Sequence, residues 1–206
     1  MEAKERILVK SHELFNRYGI RSVSMDDIAT QLGMSKKTLY QYYADKDELV
    51  NEVFNSVLDA NRAQCRECTQ KGENAIHEVF LSFDMVEEML TNMNPALLFD
   101  MQKYHPTAFK KFQEFRNSFL FRLIKTNLER GITEELYRPE IDIDLLSRYR
   151  VYSVLLSFDP EVFPNAKNQL VYVEQQLMEH FLFGIASAKG QKLIMKYKNQ
   201  RSKKLV

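Results

Sequence analysis

Between residues 33 and 49 the chain reads GMSKKTLYQYYADKDEL, and its side chains suit one kind of chemistry. Lys36, Lys37 and Lys46 bring ammonium groups, Thr38, Tyr40 and Tyr42 bring hydroxyls, and Gln41 brings an amide. Ser24 and Ser35 stand where two short helices begin. Phosphate oxygens accept hydrogen bonds from such groups and from the N–H groups of helix N-termini, so the set fits a nucleic-acid backbone. Two lysines in the first turn of the helix after Ser35 oppose the helix dipole, which favours negative charge there. An external anion removes that conflict. The plainer alternative is a solvated face with two tyrosines half-packed on their neighbours.

Other chemistry is thin. Cys65 and Cys68 form C-R-E-C, one helical turn apart, and a thiol- or metal-responsive sensor acting through them is the alternative reading. A zinc site needs four partners, and His12, His77, His105 and His180 show no ligand spacing. There is no Gly-rich phosphate loop, nucleophile elbow or His-Glu metal motif, so neither catalytic residues, a metal nor a cofactor is expected.

The elements that must hold these residues are helices. Six Gly and five Pro punctuate 206 residues, and no stretch alternates apolar and polar residues long enough for a strand. The fold expected is all-α. The formal charge is +1, but a tail of Lys189, Lys192, Lys196, Lys198, Arg201, Lys203 and Lys204 holds seven of the 29 basic residues. The body therefore carries 22 basic against 28 acidic side chains, and nucleic-acid binding must use a local patch. No apolar run approaches the ~18 residues of a membrane span, the start has no apolar signal region, and two cysteines make no disulfide framework. These features point to a soluble cytoplasmic protein.

Helices are expected near 3–18, after Ser24, after Ser35 and from Asp45 to about 70. Others follow near 74–93, 95–104, 107–130, 143–158, 168–188 and 190–200. Ser24 with Asp27, and Asp45 with Glu48, have capping-box spacing. Gly19, Gly33, Gly72 and Gly131 are placed as C-terminal caps. Met25, Ile28, Ala29 and Leu32 give the second helix an apolar face, Gly33 permits a left-handed turn, and Leu39 and Tyr43 share the inward face of the third. At ~100° per residue, Lys36, Lys37, Tyr40 and Gln41 then point outward, with Thr38 and Tyr42 at the flanks. This is the pattern of a helix-turn-helix. Residues 1–50 hold eight basic and eight acidic side chains, a balance that suits recognition of a short site better than coating of DNA.

The stretch SMDDIATQLGMSKKTLYQYYADKDELV resembles the DNA-binding signature of the TetR family of bacterial transcriptional regulators. The shared features are the Ala-x-x-x-Gly turn, the KKTLYQYY helix and the Lys-x-x-Leu start of a long connecting helix, over roughly residues 5–53. FGIASAKGQKLI and ERGITEELYRPEID resemble the family's C-terminal segments less specifically. The resemblance implies an N-terminal three-helix DNA-binding domain (1–50) and a larger helical effector-binding and dimerisation domain (51–206). It implies a homodimer on a palindromic operator in double-stranded DNA, a repressor released by a small-molecule effector. By residue, it implies phosphate contacts from Thr38, Tyr40, Tyr42, Lys46 and Ser24 and base-edge contacts from Lys36 and Lys37. Gln41 stands where relatives often carry an aromatic residue.

Two later segments suit a dimer interface. Residues 143–158 are apolar nearly all round, including Leu145, Tyr149 and Leu156, and Leu170, Val173, Leu177, Phe181 and Gly184 follow helical spacing. The middle helices are rich in Met and Phe. Met85, Met89 and Met93 repeat every four residues, and Phe112, Phe115 and Phe119 form a second stripe. With Arg116, Tyr149 and Tyr152 as polar anchors, they are the candidate effector pocket, because Met-rich surfaces repack around varied ligands.

Overall fold

The computed structural model describes residues 2–91, 93–159, 161–163 and 170–204, and among them the chain is all-α with one isolated bridge, Tyr137 to Ala186. Pro160, Pro164, the expected helix start at 168 and the side chains of Lys203 and Lys204 lie outside the described residues. The chain packs as two compact units, Met1–Arg62 with Asn92–Phe115, and Ala63–Thr91 with Arg116–Val206.

In the first unit, α1 (Ala3–Tyr18), α2 (Met25–Leu32) and α3 (Lys36–Tyr42) surround the early turns of α4 (Lys46–Lys71). Ile7, Phe15, Ile28, Leu39, Tyr43, Leu49 and Val53 are buried together. Burial also strands the Tyr43 hydroxyl without a partner and pushes its pKa up to about 12. Two later helices join this core, α6 (Ala96–Tyr104) and α7 (Pro106–Glu114), through Leu97, Met101 and Ala108. Polar contacts fix them: Arg21 N–H donates to Asp100 Oδ2 at 3.0 Å, and Asn94 N–H to the Asn16 carbonyl at 2.7 Å. His105 Nδ1 lies 2.6 Å from Asp47 Oδ1. The expected division falls at residue 50, whereas the first compact unit runs to Arg62 and takes in Asn92–Phe115, whose Leu97, Met101 and Ala108 belong to its buried cluster.

The second unit holds α5 (Ala75–Thr91), α8 (Phe121–Thr133), α9 (Ile143–Leu156), α10 (Leu170–Ile185) and α11 (Ala188–Lys204). Ile76, Leu128, Tyr137, Met178, Leu182 and Ile194 are at most 1% exposed in its core. Buried Glu78 accepts from Thr69 Oγ1 (3.0 Å) and Arg130 Nη1 (3.2 Å), while Arg130 also donates to Glu134 Oε1 (2.7 Å) and the Gly72 carbonyl (2.8 Å). This network ties the end of α4 to α5 and α8.

Three expectations change. The segment 107–130 is α7, a π-helical stretch Phe115–Leu120, and α8. The wider turns of the π stretch break the Phe112, Phe115, Phe119 stripe. Met93 follows the end of α5 at Thr91, so the methionine stripe stops at Met89. Gly131 is not a cap: it lies inside α8, where a Cβ would sit 2.0 Å from Tyr137 Cδ2. A glycine there makes room for a buried tyrosine ring.

Candidate nucleic-acid interface

Local hydrogen bonds build the α2–α3 pair. Ser24 Oγ accepts from Asp27 N–H (3.1 Å) and Asp27 Oδ2 accepts from Ser24 N–H (2.8 Å), the reciprocal capping box expected at α2. The two hydrogen bonds from Ser24 hold the Asp27 carboxyl below its ordinary range. Gly33 closes α2 at φ 64°, and nothing lies within 4 Å of a Cβ added there; the backbone angle, not space, asks for glycine. Ser35 Oγ then accepts from Thr38 N–H at 3.0 Å and caps α3. Asp45 Oδ1 accepts from Glu48 N–H (2.8 Å), but Glu48 Oε2 reaches back to Ala44 N–H (2.6 Å), one residue before the expected box partner.

Leu39 and Tyr43 are buried, so the remaining side chains of α3 turn outward. Ser35, Lys36, Lys37, Tyr40, Gln41 and Tyr42 are exposed and Thr38 is half-buried. The first turn of α3 has no acidic residue. Lys37 has no partner among the described residues and is free to meet an anion. Lys36 is not free: it pairs with Asp26 at 2.8 Å and lies 6.0 Å from the Tyr40 ring centroid. Asp26 raises the Lys36 pKa and keeps it charged. Sequence reasoning missed this carboxylate, ten residues away and off any periodic pattern. To touch a base edge, Lys36 must leave a solvent-exposed pair worth little.

Lys46 is half-buried and donates to the Ile20 carbonyl at 2.6 Å. Burial lowers its pKa, opposed by Asp100 and Asp27. One of its three N–H groups is therefore occupied, leaving two for a phosphate. Ser24 is exposed, but its hydroxyl donates to Asp27 Oδ2 at 2.6 Å, which leaves acceptor capacity rather than a donor for DNA.

The other predicted positions scatter. Phe112 packs on the first unit's core and Phe115 is buried in that unit, whereas Phe119 and Arg116 belong to the second. In the second unit a cavity of about 290 Å³ is lined by Thr69, Glu78, Phe119, Arg122, Leu123 and Thr126, and takes only Phe119 from the predicted pocket. A smaller one of about 150 Å³ takes only Tyr152. Met85 is half-buried and Met89 exposed on α5. On α9, Leu145, Tyr149, Tyr152 and Leu156 are all exposed. On α10, Gly184 is exposed and Val173 and Leu177 are half-buried, while Leu170 and Phe181 are buried within the chain. The Tyr149 and Phe181 rings stack at 6.2 Å. Burial pushes the Cys65 thiol up to about 11 and raises Cys68 too, the opposite of what an activated thiolate needs. Among the described residues no three His, Cys, Asp or Glu side chains gather as a metal site. No helix among them is long and apolar enough to cross a membrane.

The chain is similar to known proteins in sequence and in fold. Residues 7–53 match the family described as bacterial regulatory proteins, tetR family. The HTH-type transcriptional repressor KstR2 of Mycobacterium tuberculosis is 25% identical over 142 residues, covering 66% of this chain and 70% of that protein. The uncharacterized HTH-type transcriptional regulator YvaF of Bacillus subtilis is 32% identical over 113 residues, 54% of this chain and 58% of YvaF. Among solved structures, the ketosteroid transcriptional regulator KstR2 of M. tuberculosis superposes with a TM-score of 0.64 at 24% identity, covering 90% of this chain and 96% of that one. A TetR transcriptional regulator from Legionella pneumophila gives 0.72 at 16% identity, covering 90% and 98%. At these identities the structural likeness speaks for the fold.

Proposed function

We propose, from the match of residues 7–53 to the tetR family of bacterial regulatory proteins, that the chain is a cytoplasmic, homodimeric TetR-type repressor that leaves a palindromic operator when a small molecule binds its second unit. The observation that carries the reading is α3. It is capped at Ser35, anchored inward by Leu39 and Tyr43, and bare of acid on a surface that presents Lys37, Tyr40, Gln41 and Tyr42. Lys37 and Gln41 would meet base edges. Thr38, Tyr40, Tyr42 and the remaining N–H groups of Lys46 would meet phosphates and set the register.

The homodimer is supported by the exposed apolar residues of α9, Leu145, Tyr149 and Leu156, beside Val173, Leu177 and Gly184 of α10. Two such faces related by a two-fold axis bury each other. Two copies of α3 then read half-sites ~34 Å apart, or a multiple of that. The effector reading rests on the 290 Å³ cavity, which touches Thr69 in the last turns of α4, the helix that follows α3. A ligand that favours a displaced α4 by ~1.4 kcal/mol lowers operator affinity tenfold.

Selection of bound fragments from random duplex DNA tests the core of this proposal. An enriched inverted repeat is expected, bound by the wild type and lost in a folded Lys37→Ala/Tyr40→Phe/Lys46→Ala variant. Equal binding by that variant, or no enrichment of any sequence, rejects the assignment.

A further inference from the structure

The smaller cavity of the second unit is lined by Asn117, Phe121, Arg148, Val151 and Tyr152, between the π-helical stretch, α8 and α9. Its volume, about 150 Å³, lies below the ~300 Å³ floor for a whole small-molecule ligand, so it suits a head group rather than a complete effector.

The polar groups around it are donors. Arg148 is exposed, lies 4.9 Å over the Phe121 ring and makes no direct ion pair among the described residues; Asp144, four residues before it, pairs with Lys125 at 2.8 Å and feels the Arg148 charge only at longer range. Asn117 is oriented by chemistry. Arg116 Nε donates to its Oδ1 at 3.0 Å, and a guanidinium has no acceptor, so oxygen must face it. The Tyr152 hydroxyl also points at this oxygen, at 3.4 Å, while accepting from Arg116 Nη2 at 3.3 Å. The oxygen of Asn117 and the hydroxyl of Tyr152 are thus used on each other and on Arg116. The Asn117 amide N–H groups and the Arg148 guanidinium remain for an occupant. No carboxylate lines the cavity.

A second observation points the same way. Arg116 is 7% exposed, its guanidinium carbon lies 4.4 Å from the Tyr152 ring centroid, and no carboxylate comes within ion-pair distance among the described residues. A buried cation without a counter-charge is costly, and its two polar partners, Asn117 and Tyr152, are themselves walls of the cavity. A bound anion would relieve that cost, and Arg is the side chain suited to hold a carboxylate or phosphate in two-point contact. The larger cavity differs, because buried Glu78 lines it.

We propose that this cavity binds the anionic head, carboxylate or phosphate monoester, of the effector, with Arg148 and Asn117 contacting the anion and Arg116 positioning Asn117 and Tyr152. The assignment of this anion to the effector rests on the ligand-release reading above; the anion site itself does not. The test is calorimetric titration of the full-length protein with octanoate, octyl phosphate, octan-1-ol and octylammonium. At least one of the two anions is expected to bind ~10-fold or more tightly than the alcohol and the ammonium, and the tighter anion identifies the head group. Exposed Arg148→Gln keeps the fold and should weaken that anion ~10-fold or more. Asn117→Asp should do the same by repulsion while raising the melting temperature, because it hands Arg116 a counter-charge. The proposal is overturned if octylammonium or octanol matches both anions, if neither anion binds at millimolar concentration, or if Arg148→Gln leaves anion binding unchanged. Operator binding measured with the same probe separates the two readings. Arg148-dependent anion binding with unaltered operator affinity upholds the site and removes its role in release.

Discussion

Both α3 and α9 leave large side chains in solvent, but the side chains differ in kind. On α3, Tyr40 and Tyr42 are 42% and 40% exposed, and each ends in a hydroxyl beside lysines. On α9, Leu145 is 59% exposed and Leu156 38%, with no polar end, and Tyr149 and Tyr152 are 46% and 52% exposed. An exposed side chain with a donor at its tip remains satisfied in water and can trade water for phosphate. The exposed aliphatic ends of Leu145 and Leu156 have no such donor and gain by meeting another apolar surface. Side-chain caps three residues long start both helices, from Ser35 to Thr38 N–H on α3 and from Asp142 to Leu145 N–H on α9, so what differs is the outward face and not the cap.

The largest expected effect strikes the apolar face. Leu145→Glu/Tyr149→Glu places like charges across a symmetric contact, and self-association should weaken at least ~100-fold with the melt of the chain little changed. Light scattering measures it. A double variant as dimeric as the wild type would remove α9 from the interface.

A pair of glycines gives the next contrast. Gly131→Ala drives a Cβ to within 2.0 Å of the Tyr137 ring and should cost ~1–3 kcal/mol or more in unfolding free energy. A Cβ added at Gly184 meets nothing within 4 Å among the described residues. Gly184→Leu should leave the fold intact, or steady α10 by up to ~1 kcal/mol of helix propensity, while weakening the dimer. Denaturant unfolding with light scattering separates the two. If Gly184→Leu unfolds as readily as Gly131→Ala, the α10 face is not open.

The smallest effect sharpens the polar side. Hydrogen bonds from Ser24 hold the Asp27 carboxyl below the ordinary carboxylate range in the folded chain. A depressed carboxyl contributes stability that is present above its unfolded pKa and lost as pH falls through the folded one. Ser24→Ala should therefore lower the melting temperature near neutral pH, and the gap to wild type should narrow as pH falls through the depressed folded-state pKa of Asp27. A gap independent of pH would mean that the capping box does not hold this carboxyl.

What was legible in the sequence was local. The caps at Ser24 and Ser35, the left-handed turn at Gly33 and the inward pair Leu39 and Tyr43 depend on bonds and periods of three or four residues, so residue type and spacing determine them. The outward set on α3 followed from the same geometry. Tertiary structure decided what distant partners control. It gave Gly131 its reason in Tyr137, and it spent one N–H of Lys46 on the Ile20 carbonyl. It paired Lys36 with Asp26 and drew Leu97, Met101 and Ala108 into the first unit's core. It also split the phenylalanine stripe with a π-helical turn and gathered Asn117, Arg148 and Tyr152 around one small cavity. None of these has a period in the chain, because each is set by which surfaces meet after the helices form, and that choice is made by the packing of the whole unit.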